Sequence, residues 1–186
     1  MQLRQFKISD LPNLNEIDAT IESTHYLHLD RSMEGLSWKC SLEPRVLRQK
    51  LIEANPVNED LAFVLKQLAG DESEGRCLVA ERSDSVVGLC VARNLAELGV
   101  IEIVDLRIDY DHRREGIGSA MIFDLINYGR EREARALRAE ALSNNIAFNS
   151  MLSKFGFELA GVDTHRKSNH DLVRERATVV WYLPLS

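Results

Sequence analysis

The sequence has three cysteines in 186 residues: Cys40, Cys77 and Cys90. An odd count at these spacings matches neither a disulfide framework nor a metal knuckle, so they read as small apolar filler in a reducing compartment. His25 and His28 lie three apart with no thiol or carboxylate pattern beside them, which leaves no metal site to name. No apolar run approaches the ~20 residues of a membrane helix. Met1-Gln2-Leu3-Arg4-Gln5-Phe6 lacks the apolar core of a secretory leader, and a cytoplasmic protein is expected. A basic excess is missing too. The net charge of −6 excludes general nucleic-acid binding through a basic face. Any phosphate site must therefore come from local charge and backbone groups. Internal repeats, low-complexity segments and interdomain linkers are also lacking.

What is present is an ordinary globular composition, 45% hydrophobic and 28% charged, in a length that can bury a core. One domain over residues 1–186 is expected. Residues 2–7 read as a strand. Ser9-Asp10-Leu11-Pro12 opens a helix to about residue 20, with Leu11, Leu14, Ile17 and Ile21 at helical spacing. Residues 22–43 show no clear period and read as a loop or broken helix. Glu43-Pro44 opens a second helix, which Asn55-Pro56 stops. Residues 59–69 fit helix or strand, and 70–75 form an acidic turn.

From residue 76 the period becomes two. Strands are expected at 77–81, 86–92 and 100–108, the first two joined by a hairpin turn at 82–85. Then come a helix from Gly116 to Arg132, a strand at 135–142, a helix from Asn145 to Phe155 ended by Gly156, a strand at 157–160 and a last strand at 178–183. A meander followed by a strand–helix–strand unit predicts an α/β fold, a mixed sheet of six to seven strands with helices on both faces.

The most informative stretch runs from Ile108 to Ala120. A strand ends, Asp109-Tyr110-Asp111-His112-Arg113-Arg114-Glu115 turns, and Gly116-Ile117-Gly118-Ser119 opens an amphipathic helix. First-turn N–H groups have no internal partner, and the helix dipole favours an anion there. Gly116 and Gly118 let the backbone approach a pyrophosphate, and Arg113 and Arg114 add local positive charge. The plain alternative is a glycine turn that only shapes the helix entrance. A Rossmann fingerprint is excluded because position 121 is Met121, and a Walker A loop because no Gly-Lys-Ser/Thr follows.

This stretch resembles motif A of the GNAT acyltransferases, [Q/R]-x-x-G-x-[G/A], met by Arg113, Gly116 and Gly118. Glu140-Ala141-Leu142-Ser143-Asn144-Asn145 through Lys154-Phe155-Gly156-Phe157 resembles the strand, Asn-headed helix and Gly-Phe ending of the same family. The likeness covers roughly residues 76–160. Val179-Val180-Trp181-Tyr182 after a polar loop is similar to the streptothricin-acetyltransferase branch.

The resemblance implies acetyl-CoA as co-substrate, bound where the fourth strand (100–108) splays from the fifth (135–142). It implies phosphates held by backbone amides around Arg114, Glu115, Gly116, Ile117, Gly118 and Ser119. Backbone groups of Leu106 and Ile108 would pair with the pantetheine arm, and Asn145 would touch the cofactor. Acetyl transfer to an amine of a small molecule or peptide then needs a base, a placed amine and a donor for the developing oxyanion, for which the Leu106 N–H is the family-like candidate.

Glu102 and Asp105 are the candidate bases. Three apart, they face opposite ways in a regular strand, unless a bulge intervenes. The alternative is that they sit at the sheet surface or pair with Arg107. Tyr26, His28 and Trp38 are candidates for an acceptor wall, or for a loop over the core. One departure stands out: Leu152 occupies the place of the family's general-acid tyrosine. A CoA thiolate, with a thiol pKa of ~8.5, is a tolerable leaving group without it. The same departure keeps open a second function, a sensor that binds acyl-CoA without turnover. A homodimer is compatible with the sequence.

Overall fold

The computed structural model describes residues 1–71 and 73–185. Glu72, in the expected acidic turn, lies outside them. Strands β1 (Gln2–Gln5), β4 (Gly75–Arg82), β5 (Ser85–Leu95), β6 (Val100–Ile108), β7 (Ala136–Leu142), β8 (Glu158–Asp163) and β9 (Thr178–Pro184) form a seven-stranded sheet in the order β1-β4-β5-β6-β7-β9-β8. The β6–β7 pair is parallel, while β1–β4, β4–β5, β5–β6 and β8–β9 are antiparallel. The mixed α/β class expected from the alternating periods is therefore observed. The chain divides into two compact units, residues 1–20, 54–139 and 183–186, and residues 21–53 and 140–182.

In the first unit, the chain enters through β1 and a 3-10 helix at Ile8–Glu16, shorter and tighter than the α-helix expected to residue 20. After Ile17 it must run extended, because Asp18 gives its backbone away: Tyr110 N–H donates to the Asp18 carbonyl at 2.9 Å, and Asp18 N–H donates to Asp109 Oδ2 at 2.9 Å. Helix α1 (Glu59–Leu68) resolves the ambiguity at 59–69. Asn58 caps it by accepting from Leu61 N–H at 2.8 Å, and Leu61, Leu65 and Leu68 are buried at one-face spacing. They pack with Phe6, Leu14 and Ile17 against Cys77, Val79, Leu89 and Val91 of β4 and β5.

Gly88, one residue from Leu89, points the other way, where a side chain would meet Met121 and Ile117 of α2 (Ile117–Glu131). Helices thus cover both faces of β4–β5. The β4–β5 loop is the expected tight turn, with Ser83 and Asp84 at φ of 49° and 64°, the double positive φ of a type I′ hairpin.

The second unit overturns the reading of residues 22–55. Both the loop expected at 22–43 and the helix expected from Pro44 are a long antiparallel hairpin, β2 (Ile21–Glu34) and β3 (Ser37–Glu53). Gly35, at φ +58°, supplies its two-residue turn. Pro44 is tolerated because each strand of a two-stranded sheet has a free edge, where a missing N–H costs no ladder bond. Leu27 N–H donates to the Ser143 carbonyl at 2.9 Å and ties the hairpin root to its own unit. Helix α3 (Ile146–Lys154) follows β7. The buried Asn149 on it accepts from Trp181 Nε1 at 2.9 Å and donates to the carbonyls of Leu142 and Asn145, both at 2.9 Å.

Candidate functional site

The turn before α2 is built as an open helix entrance. Arg114 adopts φ +65° and Gly116 φ +85°. A Cβ on Gly116 would meet nothing within 4 Å, so the space beyond its backbone is clear. No side chain caps α2. The first helical bond that closes at this end runs from Ala120 N–H to the Gly116 carbonyl at 3.0 Å, which leaves the amides of Ile117, Gly118 and Ser119 without an intrahelical acceptor. Arg114 is exposed and holds no ion pair among the described residues. The Glu115 carboxylate at this entrance pairs with Arg82 and lies 3.4 Å from His112 Nδ1.

The Arg113 side chain is engaged within its own chain. Its Nη2 donates to the Thr20 carbonyl at 2.7 Å and its Nε to the Ile108 carbonyl at 3.3 Å, while its guanidinium lies 4.8 Å from the Tyr110 ring centre. It is a strut between the turn and the segment that precedes β2. The Thr20 hydroxyl and N–H hold Asp18 below the usual carboxylate range in the same staple. Of the backbone groups of Leu106 and Ile108 expected to pair with a pantetheine arm, the Ile108 carbonyl accepts from Arg113.

On β6 the ladder to β7 covers Val100–Ala136 to Ile103–Ala139 and ends there, while β6 continues to Ile108. Leu106 and Ile108 thus lie beyond the last rung, where backbone on that edge can accept an added strand. Opposite β5, the register steps from Ala92–Ile103 to Val91–Asp105. Val104 is the extra residue of a bulge, and it reverses the parity of the strand. Glu102 pairs with Arg93 and Asp105 with Val91, two residues apart on β5, so both carboxylates face the same side.

Each is already engaged. Glu102 accepts from Arg93 Nη2 at 2.5 Å and from Arg138. Asp105 receives a two-point contact from Arg107, Nε at 2.7 Å and Nη2 at 2.8 Å, and the third guanidinium nitrogen of Arg107 donates to the Asn55 carbonyl at 2.8 Å.

In the second unit, Asn145, expected to touch a cofactor, caps α3 through its side-chain oxygen, which accepts from Phe148 N–H at 3.2 Å. Leu152 is fully buried, so the place of the family's tyrosine is core. Tyr26 and His28 share the hairpin's polar face, the Tyr26 hydroxyl 2.8 Å from His28 Nδ1. Trp38 pairs with Met33 on the opposite face, so the three do not form the single wall expected.

The sequence reading missed Arg93, Arg138 and the Asp18–Thr20 staple. Arg93 and Arg138 carry no motif. They become partners of Glu102 only through an antiparallel neighbour on one side and a parallel one on the other.

Residues 41–157 match the acetyltransferase (GNAT) family. Streptothricin acetyltransferase A of Bacillus subtilis is 30% identical over 84 residues, 45% of this chain and 48% of that protein, so the match spans about half of the curated relative. The crystal structure of nourseothricin acetyltransferase superposes with a TM-score of 0.77 at 18% identity, covering 100% of this chain and 98% of that one. A structure named as a streptothricin acetyltransferase from Bacillus anthracis, in complex with acetyl coenzyme A, gives a TM-score of 0.80 at 18% identity, covering 100% and 97%. At these identities the two structures speak for the fold, and the family match speaks for the lineage: the chain belongs to the GNAT acetyltransferase family.

Proposed function

We propose that this chain is a cytoplasmic N-acetyltransferase, a single functional domain that moves the acetyl group of acetyl-CoA to an amine of a small molecule or peptide. One observation carries the reading: an uncapped helix entrance with open space over Gly116 follows directly from a strand that outruns its ladder. The amides of Gly116, Ile117, Gly118 and Ser119 suit a diphosphate, and Arg114 supplies the charge that Arg113 spends elsewhere. The edge of β6 at Leu106 and Ile108 suits a pantetheine amide chain.

The thioester supplies an activated acyl group when bound. The chain's residues supply the rest. The Leu106 N–H would donate to the oxygen that gains charge. Asp105 is its neighbour in sequence and holds one guanidinium where Glu102 holds two, which favours Asp105 for accepting the ammonium proton and Glu102 for orienting the strand through Arg93 and Arg138. Tyr26 and His28 offer a polar face for the acceptor. With Leu152 in the core, the thiolate leaves without a tyrosine donor, its protonation left to water, Ser150 or Ser153.

The test is a CoA-thiol release assay across polyamines, amino acids, streptothricin-type antibiotics and peptides, beside a direct acetyl-CoA binding measurement. Binding with thiol release on at least one amine supports the reading. Binding without release on any amine would make the chain a sensor. Gly116→Val should remove binding in a folded protein, and unchanged affinity there would refute the phosphate assignment. Asp105→Asn and Glu102→Gln, compared by pH–rate profile, tell the base from the orienting residue: loss of the acidic limb in Asp105→Asn is expected.

A further inference from the structure

Glu115 directly precedes Gly116 and so puts an acid at the mouth of an entrance that suits a diphosphate. A free carboxylate there repels phosphate and cancels the charge of its neighbour Arg114. The chain meets that charge from outside the turn. Arg82 Nη1 donates to Glu115 Oε2 from 33 positions away in sequence, and His112 Nδ1 lies 3.4 Å from the same oxygen. Arg82 starts from a fixed point. It is the last residue of β4 and pairs with Ser85 across a two-residue turn. Ser83 and Asp84 hold that turn at φ of 49° and 64° without the glycine it favours. Asp109 N–H donates to the Val87 carbonyl at 2.9 Å and ties the same hairpin to the segment that leads into α2. As a source of stability the pair is minor. Its side chains are 45% and 39% exposed, and an ion pair so placed contributes little to folding. Its effect is on the local field at the entrance.

We propose that Arg82 is a positioning residue of the phosphate site. By holding Glu115 it keeps that carboxylate off a bound diphosphate and leaves the charge of Arg114 unspent for the ligand. Arg82 acts through Glu115 and not through contact with the phosphates. In a chain of net charge −6, a phosphate site depends on such local bookkeeping, because the overall field opposes an anion. The proposal rests on the phosphate reading of the entrance.

The test is calorimetric binding of CoA, with no acceptor present, to the full chain and its variants. Arg82→Gln should weaken CoA about three- to tenfold, the effect of one carboxylate set free near a phosphate at a surface. Arg82→Lys, which keeps the charge, should recover most of that loss. Glu115→Gln should bind CoA at least as tightly as the wild type. In the Glu115→Gln background, adding Arg82→Gln should change the affinity by less than about twofold, since no carboxylate remains to be held. The ratio of the Arg82→Gln and wild-type dissociation constants should also shrink as salt rises from about 50 to 500 mM, which a purely structural loss would not follow. Arg82→Gln binding as tightly as the wild type overturns the proposal. So does an equal loss in the Glu115→Gln background, which would make Arg82 a direct ligand. A wild type that binds CoA in neither salt removes the phosphate reading itself, and the proposal with it.

Discussion

Glu102 and Asp105 lie on the same side of β6 because Val104 is inserted between them as an extra residue against β5. Without that insertion a spacing of three would turn one carboxylate away. The bulge therefore brings two acids and their guanidinium partners to one face, next to the point where the ladder to β7 stops.

The Arg107–Asp105 pair is buried on the arginine side, whose side chain is 3% exposed. Removing one member leaves the other charged and unpaired. Arg107→Met should cost about 3–5 kcal/mol. Arg107→Met combined with Asp105→Leu should cost less than the sum of the singles. Denaturant unfolding of the four proteins measures the coupling.

Arg113 joins Thr20, Ile108 and Tyr110. If it acts as a strut and not as a phosphate ligand, Arg113→Ala should raise the acceptor KM several-fold while the acetyl-CoA KM moves by less than about twofold. Arg114→Ala should do the reverse. Steady-state kinetics with each substrate varied separates the two.

Asp10 accepts from Arg4 Nη1 at 2.8 Å and Nη2 at 2.9 Å and from Lys7 N–H at 2.8 Å. The Arg4 guanidinium chiefly, and the Lys7 amide after it, hold the carboxyl below its usual range against the pull of burial. The folded state therefore binds this proton less readily than the unfolded chain. The stabilisation is present above the unfolded value of ~3.9 and fades as pH falls toward the folded one. Asp10→Asn should lose about 1–3 kcal/mol near neutral pH, and the gap from wild type should close on acidification. Urea melts at several pH values check it.

Burial pushes the Cys77 thiol up to about 12 and the Cys90 thiol well above its ordinary value, Cys90 with a further rise from Asp105. Cys40 is exposed on the hairpin. A thiol reagent at about pH 8 should therefore label Cys40 at once and the other two only after unfolding. Fast labelling of three thiols in the native protein would contradict this packing.

Much of the fold follows from local pattern. The period-two runs from Cys77 to Ile108 became β4, β5 and β6, and Gly116 and Asn145 opened α2 and α3 as their residue types require. The hairpin at 21–53 was missed although its alternation is present in Leu27, Leu29, Met33, Trp38, Cys40 and Leu42. Arg31 interrupts that alternation on the same face, and Glu43-Pro44 imitates a helix start. The carboxylates were legible as residue types but not as a pair, since their shared face depends on a bulge.

By itself, the sequence determined the elements that need only nearest neighbours: the glycine-led turn with its uncapped amides, the apolar stripes, the tight hairpin at Ser83 and Asp84. Those depend on backbone freedom and periodicity, which act over a few residues. Tertiary structure decided what each charged side chain does. Arg113 went to Thr20, Asp105 to Arg107, and Glu102 to Arg93 and Arg138. Such choices depend on which strands lie beside which, and a guanidinium pairs with whatever acceptor the fold brings within ~3 Å of it.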